Sequence, residues 1–205
     1  MITKELIIQT AAQLFVENGV KTITVDKIVK ELRTSKRTVY NHFENKTDLL
    51  KACLAIYHQR VKTENENIIQ ESPNAIAALG RLHNEILKRT YQVNPNFFSD
   101  IIHYHPGVLE ESYRNTNNFA HQQIVDISTW GIEDGIFQPE LDVDVVGKTV
   151  LVLLKLLKDN KLFPVSKYSK ERLTFGTLVP YLRGLCTPKG VRFLAQQEEL
   201  FKISI

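Results

Sequence analysis

The chain has 205 residues, 43% of them hydrophobic, which is enough for a substantial core in one large domain or in a small domain joined to a larger one. Its formal net charge of +3 is a mild excess of base, so a polyanionic partner is indicated only if the charge is locally concentrated. Cys53 and Cys186 stand in no CxxC spacing, which argues against a disulfide framework or thiolate zinc site, and no stretch approaches the roughly 18 apolar residues of a membrane span.

The N-terminal run MITKELIIQTAAQLF is periodic rather than continuously apolar, unlike a secretory leader, so a cytoplasmic location is expected. Leu6, Ile7, Thr10, Ala11, Leu14 and Phe15 share one helical face, and Asn18-Gly19 follows as a stop. Thr24 stands at an N-cap position before Val25, Ile28, Val29 and Leu32, predicting a short second helix. Arg33, Thr34 and Ser35 separate it from a third, Lys36 to about Phe43, with Ser35 as cap and Val39 one turn before Phe43. Asn45 and Asp48 resemble a capping box, after which Leu49, Leu50, Cys53, Leu54, Tyr57 and Val61 carry one stripe along a long fourth helix.

The sequence then turns polar through KTENENIIQESP before Pro73 opens a new periodic run at Leu79, Leu82, Ile86 and Leu87. Pro95 and Pro106-Gly107 bracket an aromatic segment, NFFSDIIHYH, and a long helix is predicted from about Val108 to Ile132. Beyond the Gly135 and Pro139 loop, the run VVGKTVLVLLKLLKDN is apolar nearly all round, predicting a buried helix at about 142–160. Another is predicted at about 169–187, with Pro180 expected to kink it. No segment alternates as a strand, so the expected fold is all-α with about nine helices, divided into a domain at 1–50 and a larger helical one at 51–205.

Two short helices joined by a three-residue turn and braced by a longer one make a helix-turn-helix, whose second helix enters the DNA major groove. The segment RTSKRTVYNH is chemically suited to that role: Arg33, Lys36 and Arg37 are basic, it contains no acid, and Thr34, Ser35, Thr38, Tyr40 and Asn41 offer hydrogen bonds. With Val39 and Phe43 turned to a core, Lys36, Arg37, Tyr40 and Asn41 face outward, and an arginine near the helix start is placed for guanine. The bland alternative is a solvated basic helix, with His42 at the core edge and Tyr40 a packing aromatic.

The stretch TITVDKIVKELRTSKRTVYNHFENKTDLL resembles the DNA-binding domain of the TetR family of transcriptional regulators, from Thr24 through Tyr40-Asn41-His42-Phe43 to Lys46 and Leu49-Leu50. The resemblance implies that Thr24 caps the second helix against a phosphate. It also implies that Lys36, Arg37, Thr38 and Asn41 approach bases or nearby backbone, and that Tyr40, His42 and Lys46 clamp phosphates. One departure lies in the turn, where the family usually has Ala-Gly-Val and this chain has Leu32-Arg33-Thr34. Arg33 must then either accept a left-handed backbone at about 1 kcal/mol or alter the turn, and it adds a charge near the phosphates.

The remaining 150 or so residues follow the family only in outline. The helices at about 142–160 and 169–187 correspond to those that pair in a homodimer, and a dimer would place two recognition helices about one DNA turn apart on a palindromic operator. An effector pocket is expected among Tyr91, Phe98, His103, Tyr104, Phe119, His121 and Trp130, where aromatic and imidazole groups concentrate, for a small hydrophobic or aromatic ligand. Two alternatives stand beside this repressor reading: control by a protein partner without a ligand, and an enzyme using His103, His105 or His121 with Asp100 or Glu110. No nucleophile motif, glycine loop or carboxylate pair accompanies those histidines, and His103 and His105 with Glu110 or Glu111 make weak metal ligands, so neither catalysis, a metal nor a cofactor is expected.

Overall fold

The computed structural model describes residues 2–157, 161–164 and 166–202, with the side chains at 91 and 109–116 left aside. Among the described residues there are eleven α-helices, a short terminal 3-10 helix and no strand, so the chain is all-α, with two more helices than the pattern suggested. It forms two compact units, neither contiguous in sequence: residues 1–63 with 89–116, and 64–88 with 117–205. That division differs from a boundary at residue 50.

The first unit begins with α1 (Lys4–Asn18), capped by the Thr3 side chain, which accepts from the Leu6 N–H at 3.2 Å. Gly19 closes the helix at φ 80°, a conformation that a side chain would resist, and an added Cβ would meet the Asp100 carboxylate at 2.9 Å. α2 (Val25–Glu31) and α3 (Lys36–Tyr40) come next, and α3 is shorter than the predicted Lys36–Phe43 because residues 41 and 42 already turn. α4 (Lys46–Gln70) continues through the polar stretch and contributes its first part to this unit. The unit is completed by the end of α5 (Ala75–Gln92), by α6 (Asn96–Tyr104) and by the start of α7 (Pro106–Glu133). Ile7, Phe15, Ile28, Val39, Leu49 and Leu50 form one buried core with Phe97, Ile101 and Val108. Each such side chain is worth about 1.5–3 kcal/mol when fully buried. The Asn94 N–H also donates to the Val16 carbonyl at 2.8 Å, and the Lys21 N–H donates to Asp100 Oδ2 at 2.7 Å.

The second unit contains the remainder of α4, α5 and α7, then α8 (Val143–Leu156), α9 (Lys170–Gly176), α10 (Leu178–Leu185) and α11 (Pro188–Gln196). The single helix predicted at 169–187 is in fact α9 and α10, broken at Thr177 (φ −131°, ψ −67°). In a continuous helix the Pro180 ring would meet the Gly176 carbonyl and leave it without a donor; in the first turn of a new helix its missing N–H costs nothing. Ile76, Ile127, Phe137, Leu178, Leu182 and Phe201 are among the buried residues of this core. Asp142 caps α8 and Thr187 caps α11, where Pro188 occupies the first turn. No helix of the described residues is long and apolar enough to cross a membrane.

Candidate nucleic-acid interface and an interior cavity

Local capping builds the helix-turn-helix. Thr24 accepts from the Lys27 N–H at 3.3 Å to start α2, and Ser35 accepts from the Thr38 N–H at 3.2 Å to start α3. Between them the Thr34 N–H donates to the Val29 carbonyl and the Arg33 N–H to the Lys30 carbonyl, at 3.0 and 3.2 Å. These are the two bonds of a Schellman ending, which requires a left-handed residue just past the end of the helix. Arg33 supplies it at φ 49°, the one non-glycine residue with positive φ among those described. Of the two possibilities raised by the sequence, the chain therefore keeps the turn and accepts the strain.

Burial of Val39 at 2% exposure fixes the rotation of α3 and sends the polar residues outward. Thr24, Arg33, Ser35, Lys36, Arg37, Tyr40, Asn41 and His42 are exposed, while Thr34, Thr38 and Lys46 are half-buried. Tyr40 is 49% exposed, which disfavours its reading as a packing aromatic. The Lys36 ammonium lies 2.8 Å from Asp26 Oδ1, and this hydrogen bond and charge raise its pKa above the usual lysine value. The pair ties α3 to α2, and a phosphate would have to compete with Asp26 for Lys36. Among the described residues Arg37 and Arg33 have no carboxylate partner, so their charges are available to a polyanion.

Lys46 is placed differently from the rest of the set. Its ammonium donates to the Val20 carbonyl and lies 5.7 Å from the centre of the Phe15 ring. Desolvation there lowers its pKa. It holds the start of α4 to the loop after α1, and this one bond leaves two of the three ammonium hydrogens for other acceptors.

The described members of the aromatic and imidazole set divide between the two units. Phe98, His103 and Tyr104 are exposed residues of the first unit, and the Lys21 ammonium sits over the Tyr104 ring at 5.1 Å. Phe119, His121 and Trp130 belong to the second unit, where His121 Nε2 lies 3.3 Å from Asp144 Oδ1 and Trp130 packs on the core. The Tyr91 side chain, like those of Glu110 and Glu111, lies outside the described residues. Among the described residues no group of three His, Cys, Asp or Glu side chains could hold a metal.

A cavity of about 80 Å³ opens instead inside the second unit, where α4, α5, α7, α8 and α10 meet. Leu79, Leu82, Ile124, Val150, Leu178 and Leu182 make its apolar walls, and Asn65, His83 and Gln123 supply its polar groups. Asn65 Nδ2 donates to Gln123 Oε1 at 3.0 Å, and His83 Nε2 lies 3.0 Å from the Thr174 hydroxyl. The sequence pattern missed these residues. The available signal was a polar residue on an apolar stripe, as His83 stands between Leu79, Leu82 and Ile86.

Over residues 7–53 the chain matches the family model for bacterial regulatory proteins, tetR family. It is 25% identical over 158 residues to the HTH-type transcriptional repressor KstR2 of Mycobacterium tuberculosis, covering 70% of this chain and 74% of that protein. A solved gamma-butyrolactone receptor, an ArpA-like protein, superposes with a TM-score of 0.67 at 20% identity, over 97% of this chain and 96% of its own. A regulator from Saccharomonospora viridis in complex with choline does so with a TM-score of 0.70 at 19% identity, over 88% and 96%. At these identities the two structural likenesses speak for the fold.

Proposed function

Because the chain belongs to the TetR family of transcriptional regulators, we propose that it is a repressor that binds a palindromic operator as a homodimer and leaves it when a small ligand occupies the second unit. The observation that carries the DNA part is the exposed face of α3, where Arg37, Tyr40 and Asn41 stand beside the Arg33 turn. Arg37 and Lys36 read base edges, while Thr24, Tyr40 and His42 hold phosphates. Support for the dimer comes from α8, which exposes Val145 at 54% and Val152 at 61%, two turns apart on one side, as a helix packed against a partner would.

α4, α5 and α7 each run unbroken from one unit into the other, so a ligand that shifts one end has a continuous helix through which to act on the other. About 3 kcal/mol of differential affinity suffices for a change of roughly a hundredfold in operator affinity. The butyrolactone and choline named for two similar proteins differ in charge and shape, so neither is carried over to this chain. The small cavity favours a second reading, in which a protein partner rather than a ligand controls DNA binding.

Gel-shift titration with DNA from upstream of the protein's own gene tests the proposal. Affinity is expected to fall steeply as salt rises, because phosphate contacts release counterions. Absent or salt-independent binding would overturn it, and a monomer at all concentrations in sedimentation would remove the dimer.

A further inference from the structure

The chemistry of the second-unit cavity narrows what a ligand there can be, an inference that rests on the ligand-controlled reading above. None of the residues lining it carries a carboxylate, an ammonium or a guanidinium. An ion placed among Leu79, Leu82, Val150 and Leu178 would lose its hydration without gaining a counter-ion. Among the described residues no aromatic ring of Phe, Tyr or Trp faces the space either, so a quaternary ammonium would lack the aromatic cage that usually recognises it.

The polar corner is equally selective. Gln123 is 7% exposed, and its Oε1 is already taken by Asn65 Nδ2. Its Nε2, a donor of two hydrogens, has no hydrogen-bond partner among the described residues. A buried donor without an acceptor is unfavourable, and the group that relieves it from within an apolar cavity is a neutral oxygen lone pair.

We propose that this cavity takes a neutral, largely apolar molecule bearing one acceptor oxygen, a carbonyl or a hydroxyl, seated on the Gln123 amide, and that it rejects cations and anions. The apolar body lies against the leucine walls. Its bulk sets the regulatory signal, since about 80 Å³ is roughly half the apolar cavity known to hold benzene. A ring-sized ligand must therefore displace the half-buried walls, Ile86 on α5 and Leu151 and Leu154 on α8. Such a ligand acts as a signal to the extent that it binds the widened cavity more tightly than the narrow one.

The test uses the full chain and four probes of matched size: cyclopentanone, methylcyclopentane, cyclopentylammonium and cyclopentanecarboxylate. Binding is read by NMR from leucine and valine methyl shifts. Cyclopentanone is expected to bind at millimolar concentration and about five- to tenfold more tightly than methylcyclopentane, the ratio that one neutral hydrogen bond supplies. Neither ion is expected to bind. Gln123→Leu and Gln123→Met, each checked by thermal unfolding, should bring the ketone and the hydrocarbon within twofold of one another. An unchanged preference in both variants, binding of either ion as tight as the ketone, or no binding by any probe overturns the proposal. Operator binding by the wild type is measured in parallel, and its absence would count against the regulatory reading, not against the cavity's chemistry.

Discussion

The two units place their chemistry on opposite sides of their cores. The first keeps an apolar interior of Phe15, Ile28, Leu49 and Leu50 and turns its basic and amide groups outward along α3, into water. The second buries Asn65, His83, Gln123, Ser128 and Thr174. A surface site can therefore change its residues at little cost to folding, whereas an interior site is part of what folds the unit, and mutations there move stability and recognition together.

That contrast can be broken or sharpened by measurement. The largest expected effect is in the first unit's core: Leu49→Ala should lower unfolding free energy by about 2–5 kcal/mol in urea denaturation. A loss below about 1 kcal/mol would mean that α4 does not seat there as described. Next comes Arg37→Ala, which should cost about 1–3 kcal/mol of operator affinity and relax preference at one base pair, with stability changed by no more than about 0.5 kcal/mol. Equal losses on every sequence would make Arg37 a phosphate contact rather than a base reader.

Arg33 is a test of exchange between strain and binding. Arg33→Gly should raise stability by up to about 0.5 kcal/mol, since the strain of about 1 kcal/mol that it relieves is offset in part by the extra freedom glycine gives the unfolded chain. It should also reduce the slope of log affinity against log salt by about one phosphate contact. Unchanged salt dependence would leave the strain without a DNA role.

The smallest effect concerns acid. Burial, and then the nearby Lys46 charge, lower the pKa of His105, whose Nδ1 lies 3.0 Å from the Thr47 hydroxyl. The native state thus holds the neutral ring where the unfolded chain is already protonated, so this contribution is present above the ordinary histidine pKa of about 6.5 and is lost as pH falls below it. His105→Gln should flatten the acid limb of a urea midpoint profile. A limb of unchanged steepness would assign it to other groups, among them His58, whose pKa burial also lowers.

The difference between the sites also explains what could be seen in the sequence. Thr24, Ser35, Val39 and Phe43 act within three or four residues of their partners, so spacing alone exposed the caps, the turn and the outward face of α3. Even the strained Arg33 was visible as an arginine where a glycine is usual. The cavity depends on contacts that no local pattern records: Asn65 meets Gln123 across 58 positions and His83 meets Thr174 across 91. Aromatic density pointed instead to Phe98 and Tyr104, which are exposed at 42% and 48%. The Val20 carbonyl that receives the Lys46 ammonium was equally hidden, since it is a backbone atom that side-chain patterns cannot show.

The core shared by Phe15, Leu50, Phe97, Ile101 and Val108 has a consequence for synthesis. The helix-turn-helix leaves the ribosome ahead of the segments that complete its supporting core, which stays unfinished until α6 and the start of α7 have emerged, more than fifty residues later. A nascent chain stalled at residue 60 should be far more open to proteases than one stalled beyond 140, and release of the reader of DNA into its folded form is coupled to the elongation of the segment that completes it.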